Sequence, residues 1–171
     1  MRYLLNSVVA CVTLVCCSHP DADADDGISV MQFDTTVVRL ATGTDTLVIH
    51  AEVARSAEQR TMGLMERRSL PDTAGMLFVY SNDQPATAGF WMYRTHIPLD
   101  IAFADSSGRI VALRQMVPCD AELTAGCPSY EPGEAYRIAL EVNAGVLSRR
   151  GVGIGARLWT SELPSSSPVA P

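Results

Sequence analysis

Gly89-Phe90-Trp91-Met92-Tyr93-Arg94-Thr95-His96-Ile97-Pro98-Leu99-Asp100-Ile101-Ala102-Phe103 runs apolar residues up to a proline and on past it in strict alternation. Pro98 marks a turn, and the residues on each side read as strands, over 90–95 and 99–104. In the second strand, alternation puts Leu99, Ile101 and Phe103 on one face and Asp100, Ala102 and Ala104 on the other. A carboxylate among small apolar residues must be paired or solvated, because an unpartnered buried charge is very costly. Asp100 is therefore expected to meet Arg60, Arg67 or Arg94, to cap the turn through Pro98, or to face a ligand.

The same alternation recurs on both sides of this stretch. Residues 37–41 and 46–54 read as strands around the turn Thr42-Gly43-Thr44-Asp45. Ser56 with Gln59 forms a capping-box pattern, which predicts a short helix over 57–67. Further strands are predicted over 75–80 and 110–117, the latter entered through the hairpin loop Asp105-Ser106-Ser107-Gly108. Residues 136–142 alternate again, and Asn143 can cap a short helix through Arg150, with Gly151 just past its end. A last strand is expected over 157–161. About eight strands with two short helices predict a mostly β (α+β), compact single-domain β-barrel or sandwich.

The 171-residue chain divides by composition. Met1-Arg2 and the modest apolar run that follows read as a signal peptide over 1–16, well short of the roughly 20 apolar residues of a membrane span. Leu14-Val15-Cys16-Cys17 resembles a bacterial lipobox, which makes Cys17 the lipid-modified first residue of a mature lipoprotein. A soluble secreted form and an uncleaved anchor are the alternatives. Residues 17–30 form an acidic tether, 31–163 the folded domain, and 164–171 a proline- and serine-rich tail predicted to be disordered. The chain carries a formal charge of −6, and all 13 of its basic residues are arginine. Four of its 19 acids lie in the tether, so the acidity is partly that of a solvated leader. With a pI of about 4.9 the chain lacks the basic footprint of a nucleic-acid-binding protein.

Five cysteines close the arithmetic. Cys11 and Cys16 leave with the signal, Cys17 carries lipid, and Cys119 and Cys127 remain as an even pair. Outside the cytoplasm such a pair most simply forms a disulfide, worth on the order of 2–3 kcal/mol for so short a ring. A thiolate metal site is the rival reading, and it falls short of the usual four zinc ligands.

A series of motifs then falls in order: Met62-Gly63-Leu64-Met65, Arg67 and Leu70, Gly75-Met76-Leu77-Phe78, Phe90-Trp91-Met92 with Thr95, Ile97-Pro98-Leu99-Asp100-Ile101, Pro118-Cys119, Cys127 with Tyr130, and Leu140-Glu141 with Gly145. From residue 48 to residue 158 the chain resembles the domain of unknown function 192 family. That resemblance implies a small, mostly β domain, often exported in bacteria, and carries no reaction. Tyr93-Arg94 stands where the family usually has lysine-asparagine, and Gly155-Ala156 where it often has glycine-aspartate.

Four constellations are candidates for chemistry. His96 and Asp100 would be half of a hydrolytic relay, but no serine sits in a nucleophile elbow, and His96 reads as a surface-turn residue. Met62 and Met65 offer soft thioethers for Cu(I), set against their use as adaptable core fillers. Trp91, Tyr93 and Tyr130, flanked by Arg60, Arg94 and Glu141, can form a stacking wall for a sugar or peptide, with Trp91 as a plain core anchor the competing reading. Asp100 and Glu141 are weak candidates for a general acid–base couple acting on an envelope polymer.

The expectation is a non-catalytic binding or accessory module at the cell envelope. It would be exported to the periplasm or outer membrane, with Arg60, Arg67, Trp91, Thr95, Asp100, Tyr130 and Glu141 as candidate contacts. An unknown small molecule, sugar or peptide is the expected partner, with no cofactor, no nucleic acid, and membrane contact only through the lipid.

Overall fold

The computed structural model describes residues 31–43 and 45–163. The signal peptide, Cys17, the tether and the tail all lie outside the described residues. Seven strands form one sheet: β1 (Asp34–Thr42), β2 (Asp45–Ala54), β3 (Ala74–Gln84), β4 (Leu99–Ala104), β5 (Ile110–Met116), β6 (Tyr136–Asn143) and β7 (Leu158–Trp159). Their order is β5-β4-β6-β3-β2-β1-β7, and the sheet curls into a half-barrel. Every pairing is antiparallel except β2 with β3. That parallel pair needs a crossover, supplied by the connection that contains α1 (Ala57–Met62). The two edge strands approach each other at one end, where Arg109 and Arg157 form an isolated bridge.

The alternation read from the sequence sorts the core onto the two faces of the sheet. One cluster takes Val38, Leu40, Ile49, Leu77, Ala102, Leu140 and Val142, closed by Val146 and Leu147 of α2 (Val146–Arg149). It draws on every strand. The other face carries Met76, Phe78, Ile101, Phe103 and Ala139, covered by Leu64, Leu70, Met92 and Cys119 from the connecting segments. Phe78, Phe90, Phe103 and Tyr136 pack edge-on there, with ring centroids 4.9–5.6 Å apart along the chain of contacts.

Three predicted elements change. The capping box at Ser56 and Gln59 is formed, but α1 ends at Met62 rather than continuing to Arg67. Gly63 adopts φ 50° there and donates its N–H to the Gln59 carbonyl, so the glycine stops the helix. Residues 90–95 do not form a strand: only isolated bridges link Phe90 to Tyr130 and Tyr93 to Cys119, and Arg94 turns left-handed at φ 53°. Asn143 does not cap α2. It ends β6 and donates to the Leu70 carbonyl and to Asp72, while Gly145 (φ 81°) starts the helix.

Cys119 and Cys127 are disulfide-bonded, with Cα atoms 5.8 Å apart. The bond closes the irregular loop that follows β5. Cys119 in turn anchors residues 92–94, donating to the Met92 carbonyl and accepting from the Arg94 N–H at 3.3 Å each.

Candidate functional site

A cavity of about 280 Å³ opens on the face of the sheet that carries the aromatic cluster. Three parts of the chain build it. The turn after α1 contributes Leu64 and Met65, with Arg60 and Met62 from the helix itself; β3 and β6 contribute Phe78, Tyr80 and Glu141; the irregular segment contributes Phe90, Trp91, Tyr93 and Thr95.

Glu141 is the unusual member. It lies in the middle of β6, opposite Met76 of β3 and Ile101 of β4. The period-2 alternation that buries Leu140 and Val142 on one face sends Glu141 to the other, where it is 4% exposed. Burial alone pushes its pKa up to about 8, with no neighbouring charge to counter it. Among the described residues no buried side-chain polar atom is sealed off without a partner. The Glu141 carboxyl, which no protein donor reaches, therefore keeps its contact with the cavity.

The walls are amphipathic. The Arg60 guanidinium lies 4.7 Å from the centroid of the Tyr80 ring and donates to the carbonyls of Arg55 and Val79. Burial raises the Tyr80 phenol above its ordinary pKa. Thr95 is buried, and its hydroxyl donates to the Tyr93 carbonyl at 3.4 Å. Trp91 is 45% exposed and Met62 41%. Neither is a core anchor or core filler; both lie at the rim.

Beside this rim, Glu66 and Arg94 are the two non-glycine residues with positive φ among the described ones, at 63° and 53°. They grip each other. The Glu66 N–H donates to the Arg94 carbonyl at 2.8 Å, and the Arg94 Nε lies 2.5 Å from the Glu66 carboxylate. His96 reaches the other carboxylate oxygen at 3.1 Å. The hydrogen bond from His96, then Arg94, holds the Glu66 carboxyl below the usual range. Left-handed conformations of this kind are unfavourable for residues with a Cβ. The clasp maintains them, joining the turn after α1 to the Trp91 segment.

Not all the predicted residues come together. Arg60, Trp91, Thr95 and Glu141 line the cavity. Arg67 does not; it makes a two-pronged ion pair with Glu52, at 2.7 and 2.5 Å. Tyr130 is half-buried behind Phe90, and its hydroxyl accepts from the Val117 N–H at 3.1 Å. Asp100 lies on the opposite face of the sheet from Glu141, because it opposes Val142 whereas Ile101 opposes Glu141. Its partner is neither an arginine nor the Pro98 turn: Asp100 accepts the Leu147 N–H in the first turn of α2, at 3.3 Å. Asp100 and Glu141 therefore form no acid–base couple, and His96 pairs with Glu66 rather than Asp100. Met62 and Met65 both line the cavity. Tyr80 and Phe90 were not identified from the sequence. The alternation of Met76, Phe78 and Tyr80 on one face was the available signal for Tyr80, whereas Phe90 sits in irregular chain that no periodicity describes.

The fold and site define a small, one-sheet β domain with a single-sided, carboxyl-floored cavity. The chain belongs to the domain of unknown function 192 family, described as "uncharacterized ACR", whose model matches residues 38–160. The chain is similar to solved structures, among them the following two. One, from Sinorhizobium meliloti 1021, is provisionally called a transcription regulator; it is 32% identical with a TM-score of 0.70, the match covering 78% of this chain and 99% of that one. The other, a protein of unknown function from Novosphingobium aromaticivorans DSM 12444, is 28% identical with a TM-score of 0.68, over 77% and 89% of the two chains. No curated protein matches the chain significantly.

Proposed function

We propose that the protein is an exported, non-catalytic binding module that holds a small ligand in the cavity between Trp91 and Glu141. The observation that carries this reading is the cavity itself: largely apolar and aromatic walls around two buried polar side chains, Thr95 and Glu141, with a half-exposed tryptophan at the rim. Residues 1–16 are removed as a signal peptide, Cys17 receives lipid, and residues 17–30 tether the domain at the envelope. The Cys119–Cys127 disulfide supports export, since such bonds persist in oxidising compartments. The binding claim is tested by a thermal-shift screen of small molecules and short glycans against the purified protein, repeated with Trp91→Ala. Hits that shift both proteins equally would remove the cavity as the site. For the anchor, a Cys17→Ala protein that still partitions with lipid would end the lipoprotein assignment.

The shared position of Met62 and Met65 on the cavity wall favours a second reading, capture of Cu(I) by two thioethers. A Cu(I) titration in which Met62→Leu, Met65→Leu binds as well as the natural protein removes it.

A further inference from the structure

The floor of the cavity carries a carboxyl group with nothing to neutralise it. Glu141 is 4% exposed, accepts no hydrogen bond from the described residues, and has no cation beside it. Arg60, the cation on the same wall, is turned onto the Tyr80 ring and onto two backbone carbonyls. Of the other groups around Glu141, Tyr80 comes from β3 and Tyr93 from the irregular segment. Glu52 of β2 lies beyond Met76 and is already paired with Arg67. None of them supplies a positive charge to the Glu141 carboxyl.

A buried carboxylate without a counter-ion is costly, and the cost falls once a cation arrives. The walls suit such a ligand. Phe90, Trp91 and Tyr93 line it with aromatic rings, a side-chain type that attracts positive charge, and Met62 and Leu64 offer apolar surface for a hydrocarbon body. An anion would instead meet a group that can only add negative charge.

Building on the binding function proposed above, we infer that the cavity takes a small ligand bearing a protonated amine, with the ammonium group against Glu141 and the apolar body under Trp91. On binding, the Glu141 carboxylic acid gives up its proton to solvent, and the resulting carboxylate pairs with the ammonium. Near neutral pH the complex therefore forms with release of close to one proton, and affinity rises about tenfold per pH unit below the Glu141 pKa.

The probes are two amines and their neutral counterparts: 2-phenylethylamine with 2-phenylethanol, and hexylamine with hexan-1-ol. Calorimetric titration at pH 6 and pH 7, in buffers of different ionisation enthalpy, reads affinity and proton release together. The amines are expected to bind at least tenfold more tightly than the alcohols at pH 7, with proton release close to one. Glu141→Gln, an isostere of the neutral acid, is expected to keep the fold while losing the amine preference, the pH dependence and the proton release. Amines that bind no better than alcohols overturn the inference, as does proton release that persists in Glu141→Gln. Alcohol binding without amine preference leaves the binding-module reading standing and removes only the amine. If none of the four probes binds, the amine is likewise excluded, and the broader screen with Trp91→Ala decides separately whether the cavity binds anything.

Discussion

Replacing Glu141 by glutamine should stabilise the protein in a way that depends on pH. In the folded state burial raises the carboxyl from its ordinary value of 4.5 to about 8, so the native protein retains a proton that the unfolded chain has lost. Where the folded state binds more protons, stability falls as pH rises. The fall therefore begins near the unfolded value, continues through the folded one, and flattens above it. At about 1.4 kcal/mol per pH unit, across a window about three and a half units wide, the natural protein loses roughly 4–5 kcal/mol relative to Glu141→Gln. Urea denaturation of both proteins at intervals from pH 5 to pH 9 measures this, with the difference between them cancelling the titration of every other group. The stability advantage of Glu141→Gln should be small at pH 5, grow steadily to pH 8 and then level off. A difference that stays constant from pH 5 to pH 8 would show that Glu141 is ionised in the folded state and would refute the account of an uncompensated buried carboxyl.

Three further outcomes follow from the packing. Removing the disulfide with Cys119→Ser, Cys127→Ser should cost about 2.5 kcal/mol in denaturant unfolding from loop entropy alone, and faster amide exchange at Met92 and Arg94 should accompany it, because Cys119 anchors them. Asp100→Ala should lower stability by about 1 kcal/mol through loss of the acceptor for the Leu147 N–H, and ligand affinity at the Trp91 cavity should stay unchanged, since Asp100 lies on the other face. Gly75→Ala should destabilise by about 2 kcal/mol or more, because an added Cβ would stand 2.4 Å from the Glu141 backbone oxygen; a thermal melt equal to that of the natural protein would contradict this.

The parts of the fold legible in the sequence are those where a local rule acts alone. Leu99, Ile101 and Phe103 against Asp100, Ala102 and Ala104 sort correctly onto two faces because period-2 alternation is a property of the strand backbone. Ser56 and Gln59 mark the start of α1 because both partners of the capping box lie within one turn. The helix ends before its sequence pattern does because the left-handed φ of Gly63 outweighs the helical pattern that continues after it. The strand expected over 90–95 is absent because Cys119 and Tyr130, distant in sequence, hold Tyr93 and Phe90 through single bridges instead.

By itself, then, the sequence determined the mostly β class, the place of most strands, the cysteine pair and the membership of a family. It also singled out Trp91 and Glu141. That these two share a cavity with Arg60 and Thr95, that Arg67 and Tyr130 do not, and that Asp100 turns away to α2 came from the packing of the folded chain. The reason is register: β6 pairs with β4 so that Ile101, not Asp100, stands opposite Glu141. A shift of one residue would exchange the two faces, and inter-strand register depends on contacts across the whole sheet rather than on any one segment.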